Sequence, residues 1–193
     1  MNKTFLQKLF FLILFGIAFG LLEAIVVFYI RTINGHLEVK QHVLDSYTVL
    51  LNLKFIAFVV FKHPALINAR ITMIETFREF STIVMLIALA VIAGQTLKQR
   101  IGAFLIAFAF WDIFYYVFLH FIVGWPNGLF DIDIYFIIPV PWIGPVITPV
   151  VISICMIIIG IRLFLFPTKN DTVTVETQRV DKKSKKKEVT KKP

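Results

Sequence analysis

Residues 9–30, 71–94, 101–123 and 145–166 of this chain form four apolar runs of 22 to 24 residues. About 20 such residues, as a helix, cross a hydrocarbon core roughly 30 Å thick. A chain that must bury four such runs has one economical solution, a helical bundle in a bilayer. Composition agrees, because 58% hydrophobic residues, 15% aromatic residues and a mean hydropathy of +0.82 lie far outside the range of a soluble domain. The 193 residues leave room for one bundle of four or five helices and none for a second folded domain. The expected fold class is all-α, a polytopic helical membrane bundle over residues 1–167.

Charge between the runs sets an expected topology. Lys98 and Arg100 separate the second and third runs, and Arg162 stands near the end of the fourth with Lys169 beyond it, whereas residues 124–142 hold Asp131 and Asp133 and no Lys or Arg. The positive-inside rule then puts residues 95–100 and the C-terminus in the cytoplasm and residues 124–142 outside the cell membrane. Residues 48–61 are apolar but only 14 long, carry Lys54 and end at Lys62-His63-Pro64. As a helix they would reach about 21 Å, too little to cross. They read as a short re-entrant or interfacial helix on the outer side, giving four spans with both termini cytoplasmic. The rival is a fifth span starting near Leu44, which would move Arg31 and Lys40 inside and the N-terminus outside. Lys3 and Lys8 before an apolar run, with Ala18-Phe19-Gly20 beyond, resemble a signal peptide, but the run continues to Ile30, and a retained first helix is expected.

The net charge of +8 is concentrated in residues 168–193, where nine Lys or Arg face four Asp or Glu. A polar segment of like charge without aromatics predicts disorder and, beside a membrane, attraction to anionic lipid. It reads as a Lys-rich cytoplasmic anchor and not as a nucleic-acid arm, since no stacking side chains are interleaved with the lysines. Cys155, the one cysteine, cannot form an intramolecular disulfide and says nothing about redox compartment.

Ionisable residues inside the apolar runs carry the functional signal. Glu23 lies in the first, Glu75, Arg78 and Glu79 in the second, and Asp112 and His120 in the third. Each costs about 2.5–3.5 kcal/mol at a helix centre, so such residues face a bundle interior or a wet cavity. In the four-span arrangement all but the deeper Asp112 fall in the outer half. Residues three and four apart share a helical face, so Thr72, Glu75, Arg78, Glu79 and Thr82 make one polar stripe, and Asp112, Tyr116 and His120 another. The two stripes are expected to face each other or a cavity, with Glu23 as a third wall and Arg78 as counter-charge to the carboxylates. Glu23, Glu75, Arg78, Glu79, Asp112, Tyr116 and His120 are thus the candidate residues for binding or proton relay. The plainer reading makes the ion pairs interhelical glue.

Glu75, Glu79, Asp112 and His120 also offer the mixed ligands that suit Zn, Mn or Fe, although Arg78 amid them would repel a cation and no metal motif is present. His36, His42 and His63 lie outside the spans. Gly-rich phosphate loops, nucleophile elbows and Cys-x-x-Cys are absent, so no catalytic residue and no cofactor is assigned. The stretch Gly124 to Pro145 reads as a rigid cap or connector outside the bundle, with a turn at Pro126-Asn127-Gly128, Trp125 and Trp142 as interfacial belt residues, and Pro145 in the first turn of the fourth helix. The expected function is cation binding or proton relay linked to small-solute transport. The alternatives are an accessory subunit of a larger membrane complex or homo-oligomer, and a membrane-embedded enzyme on a lipid or small polar substrate.

Overall fold

The computed structural model describes residues 3–33, 47–53, 56–61, 69–136 and 140–166. They form helices α1 (Lys3–Ile33), α2 (Ala69–Ala93), α3 (Leu97–Val123) and α4 (Ile147–Leu165), and strands β1 (Tyr47–Asn52), β2 (Ala57–Phe61), β3 (Ile132–Phe136) and β4 (Trp142–Pro145). All four helices are long and apolar enough to cross a membrane. Their outward faces fit that solvent: Phe77, Phe80, Ile92, Phe121 and Ile158 are each more than half exposed, a surface that water would not tolerate on this scale.

Two expectations are corrected. The chain is mostly helical but not all-α, and residues 48–61 do not form a re-entrant or interfacial helix: on either side of residues 54–55 they pair as the antiparallel strands β1 and β2. The segment Tyr-Thr-Val-Leu-Leu-Asn and the segment Ala-Phe-Val-Val-Phe are rich in β-branched and aromatic residues, which fit a pleated surface. Their pairing completes only through β4, some eighty residues on, in a sheet of order β1-β2-β4-β3; local periodicity carries no trace of such a partner. The second correction is at Pro145, which ends β4 rather than opening the fourth helix, its carbonyl accepting a hydrogen bond from the Tyr135 hydroxyl at 2.6 Å. The expected disorder of residues 168–193 and the positions of Lys54, His36, His42 and His63 lie outside the described residues.

Helix direction is fixed by glycine contacts. A Cβ on Gly16 would stand 2.7 Å from the Phe110 side chain and 2.8 Å from the Ala107 carbonyl, and one on Gly20 would stand 2.9 Å from the backbone of Trp111 and Tyr115. Both positions advance together, so α1 runs parallel to α3 at close backbone approach, as small residues permit. Gly102 and Gly160 do the same for the antiparallel pair α3 and α4. The Phe5 and Phe164 rings meet at 6.0 Å, and Lys8 Nζ donates to the Ala93 carbonyl at 2.7 Å. The start of α1, the end of α4 and the α2–α3 turn therefore share one end of the bundle, here the turn end. Ile33 and Ala69 both lie at the opposite end, with the sheet, so the chain between them returns to the end it left. The fifth-span arrangement, which needs α1 antiparallel to α3, is not adopted.

The turn itself is dictated locally. Thr96 caps α3 in a capping box, its Oγ1 accepting from Gln99 N at 3.2 Å while Gln99 Oε1 accepts from Thr96 N at 3.3 Å, which satisfies donors a helix start leaves orphaned. Gly94 is needed because a Cβ there would meet Arg100 N at 2.5 Å. At the other end α3 stops at Gly124, which adopts φ +73° and donates to the His120 carbonyl, a left-handed cap that favours glycine. The loop beyond is held by Asp131 Oδ2, which accepts from Asn127 N at 2.7 Å and Gly128 N at 3.2 Å.

Candidate functional site: two separate polar clusters

The carboxylates and the arginine of the apolar runs come together in part. From α2, Arg78 donates through Nε and Nη2 to Glu75 Oε1, the Nε bond measuring 3.0 Å, and through Nη1 to Glu23 Oε1 of α1. The i, i+3 spacing of Glu75 and Arg78 supplies the first contact. The parallel course of α1 and α3, which sets Glu23 at the height of Arg78, supplies the second. The side chains of Arg78, Glu23 and Glu75 keep only 20%, 10% and 13% of their exposure, so water screens them weakly. Glu79 is buried beside them, within electrostatic reach of Glu23 and Arg78, and Glu75 Oε2 is buried with no hydrogen-bond partner among the described residues. Thr82, one turn further on, bonds back to the Arg78 carbonyl at 3.0 Å. Two carboxylates thus bond one guanidinium, with a third within electrostatic reach.

Asp112, Tyr116 and His120 do not join this cluster, contrary to the expectation that the two stripes face each other. Asp112 points to α4, where the Ser153 hydroxyl donates to its Oδ2 at 2.8 Å. Tyr116 points to the sheet and donates to Asp133 Oδ2 of β3 at 3.1 Å, both residues being buried. His120 is exposed at the end of α3, and its Nδ1 donates to the Pro126 carbonyl at 2.8 Å, tying the helix to the following loop. Four residues apart puts side chains on one face only approximately, since each step of four overshoots a turn by about 40°. From Asp112 to His120 the stripe therefore drifts from α4 past the sheet to the surface.

Asp112 lines a cavity of about 120 Å³ between the bundle and the sheet, with Phe108, Tyr135, Phe136, Trp142 and Ser153 among its walls. The sheet reaches down α3 as far as Phe108, whose ring stacks on Phe136 at 6.3 Å. The register shift between Ile134 and Phe136 turns both Tyr135 and Phe136 to the cavity. Trp142 meets Phe136 at 6.2 Å and Phe58 at 5.0 Å, and Trp125 packs against Ala24, Tyr116, Leu119 and Val146. Trp125 is thus buried and Trp142 partly so, both packed against other aromatic side chains. Burial pushes the Tyr135 hydroxyl up to about 12, so it stays a donor at neutral pH.

Ser153, Tyr135 and Asp133 were not singled out for this site from the sequence. The alternation Ile-Asp-Ile-Tyr from Ile132 to Tyr135 is a strand signal that could have flagged the last two, and Ser153 stands in an otherwise apolar helix. Among the described residues no three His, Cys, Asp or Glu side chains converge to hold a metal ion; Glu75 and Glu79 sit with Arg78, and Asp112 and His120 sit apart. Comparison of the chain with family models, with curated proteins and with solved structures finds no match in any of the three.

Proposed function

We propose that this chain is a multi-pass protein of the cell membrane whose Glu23–Glu75–Arg78–Glu79 cluster takes up and releases protons, or binds a small cation in their place, in support of small-solute movement. One observation carries the reading: Glu23 and Glu75 share the Arg78 guanidinium, with Glu79 buried close by and Glu75 Oε2 left without a hydrogen-bond partner among the described residues. Fully ionised, Glu23 and Glu75 alone exceed the one guanidinium they share by a negative charge, in a medium where even one unpaired ion costs several kcal/mol. Protons or a cation must make up the difference, and a site that needs them can exchange them. The sheet end is then outside, the turn end and both termini cytoplasmic, and the Lys-rich tail rests on anionic lipid.

The test is infrared difference spectroscopy of the purified protein between acid and alkaline buffer, paired with proton flux in vesicles. A protonated-carboxyl band that disappears in Glu23→Gln or Glu79→Gln, together with lost flux, supports the reading; bands and flux unchanged in all three Glu→Gln variants overturn it. A second reading, a subunit of a larger membrane complex, is favoured by α2, whose outward face of Phe77, Phe80, Val84, Ile87 and Val91 is available to further helices. Native mass spectrometry of the protein from its own membrane separates the two, since fixed stoichiometry with other chains would assign the cluster to that complex.

A further inference from the structure

The cavity beside Asp112 is independent of the Arg78 cluster, and its chemistry is different. Phe108, Tyr135, Phe136 and Trp142 give it aromatic surface, Ile56, Pro149 and Ile152 aliphatic surface, and Asp112 is the one carboxylate among the described residues that line it. No Lys or Arg among the described residues lines it. The Asp112 carboxylate is held in place by Ser153 on α4, and a second carboxylate, Asp133, lies within electrostatic reach of it. At about 120 Å³ the space is well below the roughly 300–1,000 Å³ of pockets for drug-sized ligands. An anion would meet repulsion here. A metal ion would find one carboxylate and no further His, Cys, Asp or Glu converging on it among the described residues.

What such walls do recognise is a compact organic cation. Aromatic faces attract an ammonium through their ring quadrupole, more strongly where water is excluded, and a fixed carboxylate supplies the counter-charge without a hydrogen-bond requirement that a quaternary nitrogen could not meet. We infer that the Asp112 cavity binds a small alkylammonium group, with Asp112 as counter-ion, Trp142 and Phe136 as aromatic walls and Ser153 as the positioning residue of the carboxylate. Four elements, α3, α4, β3 and β4, must be assembled to form it, so the sheet is what turns a pair of helices into a concave site.

The experiment is calorimetric titration of the detergent-solubilised full chain with choline and with its uncharged analogue, in which carbon replaces the quaternary nitrogen. Choline should bind, the analogue should bind about tenfold or more weakly, and Asp112→Asn should weaken choline to a similar degree. Trp142→Leu should weaken choline several-fold while leaving the analogue nearly unchanged. Equal binding of choline and analogue, or choline binding unaffected by Asp112→Asn, would reduce the cavity to an apolar packing gap and overturn the inference, as would no binding of choline by the wild type. If Asp112→Asn does not fold, the choline-to-analogue ratio on the wild type decides alone. None of these readings depends on proton uptake at Arg78, so the two proposals fail separately.

Discussion

Arg78 of α2 and Glu23 of α1 stand opposite each other at the same distance along their helices from a second contact, that of Lys8 with the Ala93 carbonyl, both intervals being fifteen residues. At 1.5 Å per residue, each interval covers about 22 Å of helix. The two antiparallel helices are thus joined by one polar tie at the turn end and one deep within the bundle, and the deep tie carries the excess of carboxylates.

Removing Arg78 strands its carboxylates. Arg78→Gln is expected to destabilise the folded chain by about 3–5 kcal/mol, the usual cost of leaving a buried charge without its partner. Glu23→Gln in the same background should recover part of the loss, giving a coupling energy of about 0.5–3 kcal/mol. Unfolding of the four-member cycle in detergent, followed by circular dichroism, measures it; strict additivity would mean that the two side chains do not share a bond.

Glycine at the α1–α3 contact is a packing requirement. Gly20→Ala forces backbone atoms 2.9 Å from the new methyl group apart and should cost about 1–3 kcal/mol. Gly128→Ala, with nothing within 4 Å of the added carbon, should change stability by less than about 0.5 kcal/mol. Thermal melts of both variants against wild type test the contrast.

Tyr116→Phe removes the hydroxyl that donates to Asp133, leaving a buried carboxylate short of a donor at a cost of about 1–3 kcal/mol. His120→Ala removes an exposed bond to the loop and should leave proton uptake unchanged. Loss of proton flux in His120→Ala would bring that residue into the proposed relay, which its place apart from the Arg78 cluster leaves it out of.

Tyr135 should titrate late. Its ordinary value is near 10 and burial raises it to about 12, so whatever its neutral form contributes to stability is complete below pH about 10 and fades as pH rises through about 12. An alkaline spectrophotometric titration of wild type and Tyr135→Phe should differ only in a late phenolate step; a difference near the ordinary tyrosine range would show the hydroxyl to be hydrated.

Topology can be read directly. Because Phe5 and Phe164 share one end of the bundle, tags at residues 1 and 193 should report the same side, and in the proposed orientation both should be protected from protease added to intact cells. One accessible tag would contradict the shared end, and two accessible tags would invert the bundle.

The chain's local chemistry determined what each segment could be. Long apolar runs could only be spanning helices, Gly94 and the Thr96–Gln99 box could only make a tight helical turn, and acids inside lipid could only be partnered or protonated. Even the pairing of Glu75 with Arg78 follows from helical spacing. Only the tertiary structure decided which faces meet. Glu23 reached Arg78 because α1 lies parallel to α3, a choice made by backbone approach at Gly16 and Gly20; Asp112 turned away from that cluster because the drift of its stripe took it to Ser153. The sheet was decided in the same way, since β2 gains its partner from β4 far along the chain, and a strand's preference for one neighbour over another depends on side chains it meets only after folding. Periodicity within a segment reports which of its residues share a face, and the identity of the opposing surface is a property of the assembled molecule.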